Sequence, residues 1–250
     1  MSERQRDNRV NQGVDSRQFV SALEVEHLAI RFGTTEIFGD VTFGVPRGTS
    51  LAVIGPNGAG KTVLFKALIG SLRYEGSIRW APGTRIGYVP QKLDIERDLP
   101  ITGGDFLAAK AAVVKEQKGA IVAALAGVGL NQEVLSTPVG ALSGGQFQRL
   151  LVAFALIGNP NVLLLDEPAA GVDAPGQEQL SSLVRDLQEA SGMTILFISH
   201  DLSIVYRYAT NVLCLSRNYS YVGPPKTVLT PDVLGRIYAM PIGFHVHDVA

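Results

Sequence analysis

The sequence predicts an α/β fold: a mostly parallel sheet covered on both faces, preceded by an antiparallel β subdomain and interrupted by an inserted helical subdomain. Apolar strand-like runs alternate with helix-patterned stretches through the second half of the chain, the pattern of a buried parallel sheet. Residues 23–32 alternate apolar and polar side chains as a half-buried strand does, and a second strand-like run lies around 41–45. Residues 102–159 are rich in Ala and Leu and read as helical.

In chain order, residues 1–18 are polar, with Arg4, Arg6, Arg9 and Arg17 and no apolar segment behind them. Residues 1–20 are expected to be a disordered tail, and an ordinary secretory signal is not expected. The folded domain is expected over 21–240. Its two antiparallel strands lead into a turn at Pro46-Arg47-Gly48, after which Leu51-Ala52-Val53-Ile54 forms a short apolar run closed by a Gly-rich loop. Residues 61–69 follow at helical spacing, with Gly70 as the stop. The helical stretch is interrupted at Gly119, Gly127, Gly129 and Pro138. Beyond it, 161–166, 194–199 and 212–215 read as strands and 177–190 and 202–208 as helices. Tyr74 and Trp80 read as structural. The C-terminal tail, 241–250, carries His245, His247 and Asp248, three possible ligands, but two histidines with no third fixed ligand and no supporting shell make a weak site, and the tail reads as solvated chain.

Composition narrows the function. A chain of 250 residues with 46% hydrophobic content can bury a sizeable core. Its 22 basic and 23 acidic residues nearly cancel, so no global field draws it to nucleic acid, which is not expected as a partner. The single cysteine, Cys214, lies in an apolar run, so no internal disulfide can form and a buried thiol, suited to a reducing cytosol, is expected. The longest uncharged stretch, 150–165, contains Asn159, Pro160 and Asn161 and falls short of the roughly 18 apolar residues that a membrane-spanning helix needs.

Two motifs carry chemistry. Gly55-Pro56-Asn57-Gly58-Ala59-Gly60-Lys61-Thr62 fits the phosphate-loop pattern, placed after a strand and opening a helix as the mechanism requires. The glycines let successive N–H groups face phosphate oxygens, and the helix N-terminus adds a favourable dipole. Lys61 is expected to reach the β and γ phosphates of ATP and Thr62 to ligate Mg²⁺. The core is therefore expected to be of the P-loop NTPase (RecA-like) type. Val162-Leu163-Leu164-Leu165-Asp166-Glu167 is an apolar strand ending in two acids, at the sheet edge where ligands bind. Asp166 is expected to hold Mg²⁺, and Glu167 to polarise the water that attacks the γ phosphate.

A third motif, Leu142-Ser143-Gly144-Gly145-Gln146, continued by Phe147-Gln148-Arg149, resembles the signature sequence of ABC ATPases. Ser143, Gly144 and Gly145 read as preceding a helix that starts near Gln146, so that a hydroxyl and backbone N–H groups face a phosphate. The resemblance covers about 23–239. It implies that this motif completes the ATP site of an opposite subunit, hence a homodimer. It further implies that Phe32 stacks on adenine and that Gln91 is the Q-loop glutamine, near the metal. Asp173 would be the D-loop aspartate and His200 the switch histidine at the γ phosphate. Phe32 stands where tyrosine is commoner, and Ala170-Gly171-Val172-Asp173 replaces the usual Ser-Ala-Leu-Asp; neither change removes a catalytic group.

Residues 88–102 and 169–173 are similar to the zinc and manganese type of metal importer ATPase. That similarity implies an integral membrane permease as partner and, indirectly, an extracytoplasmic substrate-binding protein. It also implies a cytoplasmic location, peripheral on the inner membrane face. A transporter-free ABC ATPase, such as an iron–sulfur assembly ATPase, and an importer of another substrate remain open. A phosphotransferase is disfavoured because it has no use for the signature pentapeptide.

Overall fold

The structure is a computed structural model and describes residues 21–91, 93, 100–168 and 174–238. The chain opens with two long strands, β1 (Ser21–Phe32) and β2 (Thr35–Pro46), followed by β3 (Ser50–Ile54), α1 (Lys61–Leu68), β4 (Glu75–Trp80) and β5 (Ile86–Val89). A helical segment comprises α2 (Gly103–Val114), α3 (Lys118–Gly127) and α4 (Gly144–Leu156), with two short 3₁₀ turns between α3 and α4. Then come β6 (Val162–Asp166), α5 (Ala174–Ser191), β7 (Thr194–Ile198), α6 (Leu202–Tyr208), β8 (Asn211–Leu215), β9 (Ser220–Gly223), α7 (Pro225–Val228) and α8 (Pro231–Tyr238).

These strands form two sheets. One is antiparallel, ordered β2-β1-β4; the other is ordered β5-β6-β7-β3-β8-β9, parallel throughout except for β9, which pairs antiparallel with β8. The larger sheet is buried on both faces, and its side chains divide with period two. Ala52, Ile54, Leu163, Leu165, Ile195, Phe197, Val212 and Cys214 enter the core shared with α2–α6. Their neighbours Leu51, Val53, Val162, Leu164, Leu196, Ile198, Leu213 and Leu215 enter a second core, with α1 and the antiparallel sheet. A strand buried on both faces needs continuous apolar sequence, which is why these runs were legible. Cys214 is free and fully buried, and burial pushes its thiol up to about 12, so it stays protonated and inert.

The sheet register positions the site. Val53 lies opposite Ile198, Asp166 opposite Ile198, and Val89 opposite Leu165. Four strands thus end at nearly one level, and the loops after β3, β5, β6 and β7 leave from a single edge. Helices α2, α3 and α4 fall within 102–159, and a capping box starts the first and the last of them: Thr102 with Asp105 for α2, and Ser143 with Gln146 for α4. The signature helix therefore begins at Gly144, immediately after Ser143, rather than near Gln146. Trp80 ends β4 with its indole N–H donated to the Leu68 carbonyl at 2.9 Å, a structural use. Strands β4, β5 and β9 and helices α7 and α8 had no counterpart in the sequence reading. The expected tails, 1–20 and 241–250, with His245 and His247, lie outside the described residues.

Candidate active site

The loop after β3 turns back on itself. Gly55 (φ +152°) is so close to β8 that a Cβ there would meet the Leu215 carbonyl oxygen at 2.0 Å. Gly60 (φ +93°) is the N-cap of α1, and a Cβ there would strike Ile37 and Phe38 of β2 at 2.7 and 2.8 Å. Only glycine fits either place, and the antiparallel sheet thereby presses the loop into shape. Helix α1 has no side-chain cap and no acid in its first turn, so its N-terminal partial charge is unneutralised by its own residues. Lys61 is 6% exposed and donates from Nζ to the carbonyls of Gly55 at 2.9 Å and Pro56 at 3.2 Å. Burial lowers its pKa, while Glu167 and Asp166 pull it back up.

Thr62, next on α1, donates its hydroxyl to Asp166 Oδ1 at 3.1 Å, and Tyr88 donates its phenol to the other oxygen, Oδ2, at 3.3 Å. Asp166 has no exposed surface, and desolvation raises its pKa; the Thr62 and Tyr88 bonds oppose that rise and nearby Glu167 adds to it. Burial, then the charge of Asp166, pushes the Tyr88 phenol well above the usual tyrosine range, so it remains a donor.

Glu167 follows β6 with φ +49°, the left-handed region that non-glycine residues seldom adopt. Its carboxylate is held from both sides: Gln91 Nε2 donates to Oε2 at 2.8 Å, and His200 Nε2 lies 2.6 Å from Oε1. The two partners come from the loops after β5 and β7. A cleft of about 420 Å³ opens beside them, lined among others by Glu167, Gln177, Ser199, His200 and Asp201.

Lys61, Thr62, Gln91, Asp166, Glu167 and His200, all singled out from the sequence, thus meet at one sheet edge. Phe32 is at the end of β1 and 50% exposed, with its ring available to a planar partner. Ser143, Gly145 and Gln146 are elsewhere, at the head of α4. There Ser143 Oγ accepts from the Gln146 N–H at 3.2 Å, Gln146 Oε1 accepts from the Ser143 N–H at 3.0 Å, and a Cβ on Gly145 would meet nothing within 4 Å. Asp173, with 169–172 around it, lies outside the described residues, as do 92 and 94–99 of the segment after Gln91. Tyr88 was missed as a site residue; its only signal was a phenol in an apolar run three positions before Gln91.

A glycine loop closed over a helix N-terminus, next to a strand-end acid pair at the edge of a parallel sheet, defines a P-loop nucleotide-hydrolysing cassette. The family model described as ABC transporter matches residues 38–170, more than half of the chain, and the chain belongs to that family. It is similar to the zinc import ATP-binding protein ZnuC of Cereibacter sphaeroides, 39% identical over 210 residues, 84% of this chain and 85% of that one. The protein of the same name from a Jannaschia species is 40% identical with the same coverage. Among solved structures, an inward-facing ABC transporter of the metal-chelate type superposes with TM-score 0.81 at 28% identity, over 88% of this chain and 90% of that one. The cbiO1 protein of Clostridium perfringens, part of the transporter complex cbiONQ, gives 0.74 at 28% identity, over 86% and 93%. The protein is an ATP-binding ATPase of the ABC class. Among the described residues no helix is long and apolar enough to cross a membrane.

Proposed function

We propose that this chain is the ATP-hydrolysing subunit of an importer for a divalent metal ion, zinc or manganese. In this reading it works as a homodimer on the cytoplasmic face of an integral membrane permease, supplied from outside by a substrate-binding protein. The observation that carries hydrolysis is the grip of Gln91 and His200 on the two oxygens of Glu167. Metal import is supported by the similarity to zinc import proteins over most of the chain.

Lys61 gives up the Gly55 and Pro56 carbonyls and turns to the β and γ phosphates of ATP, while the backbone N–H groups of residues 57–62 and the end of α1 surround them. Phe32 stacks on the adenine. Thr62 and Asp166 suit Mg²⁺: a hydroxyl and a carboxylate oxygen already converge at 3.1 Å, and hard oxygen donors are what this ion takes. Gln91 stands at the same edge to complete the metal's surroundings. Bound there, Mg²⁺ would neutralise charge on the phosphate oxygens. Glu167 accepts hydrogen bonds at both oxygens in the structure, so it has to exchange one of them for the attacking water, which it then polarises as general base. His200, released from that exchange, is free to bond the γ phosphate. Ser143, Gly144, Gly145 and Gln146 face the nucleotide of the opposite subunit, and Asp173 serves as the family's D-loop aspartate.

Cells carrying wild type or Glu167→Gln test this through uptake of zinc, manganese and iron. Loss of one metal's uptake in the variant identifies the cargo. Unchanged uptake of all three, with ATPase activity intact in the wild type, transfers the protein to another substrate or to the transporter-free class.

A further inference from the structure

Asp166 is gripped by two hydroxyls that arrive from different elements. Thr62, on α1, takes Oδ1; Tyr88, on β5, takes Oδ2. Strand register explains the reach. Tyr88 lies opposite Leu164, and Leu164 and Asp166, two residues apart, project from the same face of β6. The tyrosine ring, half-buried against the core that contains Leu164, spans one step along the strand and ends its hydroxyl at 3.3 Å from the carboxylate. Asp166 has no exposed surface, so solvent cannot replace a lost donor there.

The torsion that turns an aspartate carboxylate has broad minima, and the group is easily rotated unless both oxygens are held. Thr62 alone leaves Oδ2 unrestrained. With Tyr88 on Oδ2, the Oδ1 edge is kept toward the Thr62 hydroxyl, so the two oxygens face a cation together instead of having to be brought together when it arrives. Tyr88 belongs to none of the nucleotide motifs, and its hydroxyl contacts the carboxylate oxygen that Thr62 does not.

We infer that Tyr88 is a positioning residue for the divalent cation, its hydroxyl fixing the carboxylate of Asp166 in the orientation that pairs with Thr62. The inference rests on the proposed role of Thr62 and Asp166 as the Mg²⁺ pair. A hydrogen-bond partner held behind a metal ligand typically accounts for about 10-fold or more in metal affinity.

Equilibrium binding of a fluorescent ATP analogue to the full chain, titrated with Mg²⁺ from an EDTA-treated start, separates the possibilities. Tyr88→Phe, which keeps the ring, is expected to raise the Mg²⁺ half-saturation on the order of 10-fold, with affinity in EDTA as in wild type. Tyr88→Leu removes ring and hydroxyl together and is expected to give the same Mg²⁺ shift with a lower melting temperature. A shift in the leucine variant alone assigns the effect to ring packing and overturns the inference. So does an unshifted Tyr88→Phe beside a strongly shifted Asp166→Asn, an outcome that leaves the metal role of Asp166 standing. An unshifted Asp166→Asn removes that role, and the inference with it.

Discussion

The carboxyl edge of the parallel sheet and the head of α4 carry the same kinds of group, hydroxyl, glutamine and glycine backbone, but are assembled in opposite ways. At the sheet edge Lys61 is held by its own loop, but the other side chains pair with distant parts of the chain: Thr62 and Tyr88 with Asp166, and Gln91 and His200 with Glu167. At α4 the partners are three residues apart, Ser143 and Gln146 cap each other, and Gly145 faces open space. The edge is a set of groups satisfied by one another, which a nucleotide must separate. The α4 terminus is complete by itself and presents an unobstructed backbone outward. A surface finished locally and open externally is what a contribution to another molecule's site requires, and this supports the dimeric reading.

The largest expected effect tests the sheet edge. Glu167→Gln should lower ATP turnover by roughly 10²–10⁴-fold while ATP binding persists, as measured by phosphate release and a parallel binding titration. Normal turnover would remove the general base from Glu167. Gly145→Ala comes next and tests the other region. An added methyl meets nothing in the monomer, and alanine favours a helix, so stability should hold or rise by about 0.5–1 kcal/mol. Turnover should nonetheless fall on the order of 10²-fold if the α4 backbone donates across a subunit boundary. Retained turnover would leave the open face without a partner. At Gly55 the same substitution does the reverse. Its methyl would overlap the Leu215 carbonyl, an overpacking cost of about 1–3 kcal/mol, seen as a melting temperature lowered by roughly 2–4 °C per kcal/mol. If both alanines destabilise alike, the two regions do not differ in the way described.

The same contrast explains what could be read from the sequence. Strands β3, β6, β7 and β8 are apolar on both faces and interrupted by turn residues, and α6 was expected at the residues where it occurs, 202–208. The motif residues announce themselves by spacing. Strand β4 does not, because Ser77 and Arg79 break its apolar pattern and it is held by pairing with β1, some fifty residues earlier. Strand β5 is four residues long, contains Gly87, and is recognisable only through its register with β6. Glycine is a poor helix former, yet Ser143 caps the chain strongly enough for the helix to start on the two signature glycines, two residues before the expected start near Gln146. The mutual bonds among the site residues had no sequence signal at all, since each joins segments whose proximity only the sheet creates.

The smallest expected effect comes from two caps of similar construction. Thr102 and Asp105 at α2 form a capping box like that of Ser143 and Gln146 at α4, but Thr102 belongs to no nucleotide-binding motif. Hydrogen bonds from Thr102 hold the Asp105 carboxyl below its usual pKa, so that contribution is present above the ordinary aspartate pKa and fades as pH falls through the lowered value. Thr102→Ala and Ser143→Ala should each cost about 1 kcal/mol of stability by chemical denaturation at neutral pH. Turnover should separate them, surviving in the first variant and failing in the second. Equal loss of turnover would mean that the Ser143 hydroxyl acts only through the helix it caps, and that the head of α4 serves its own chain.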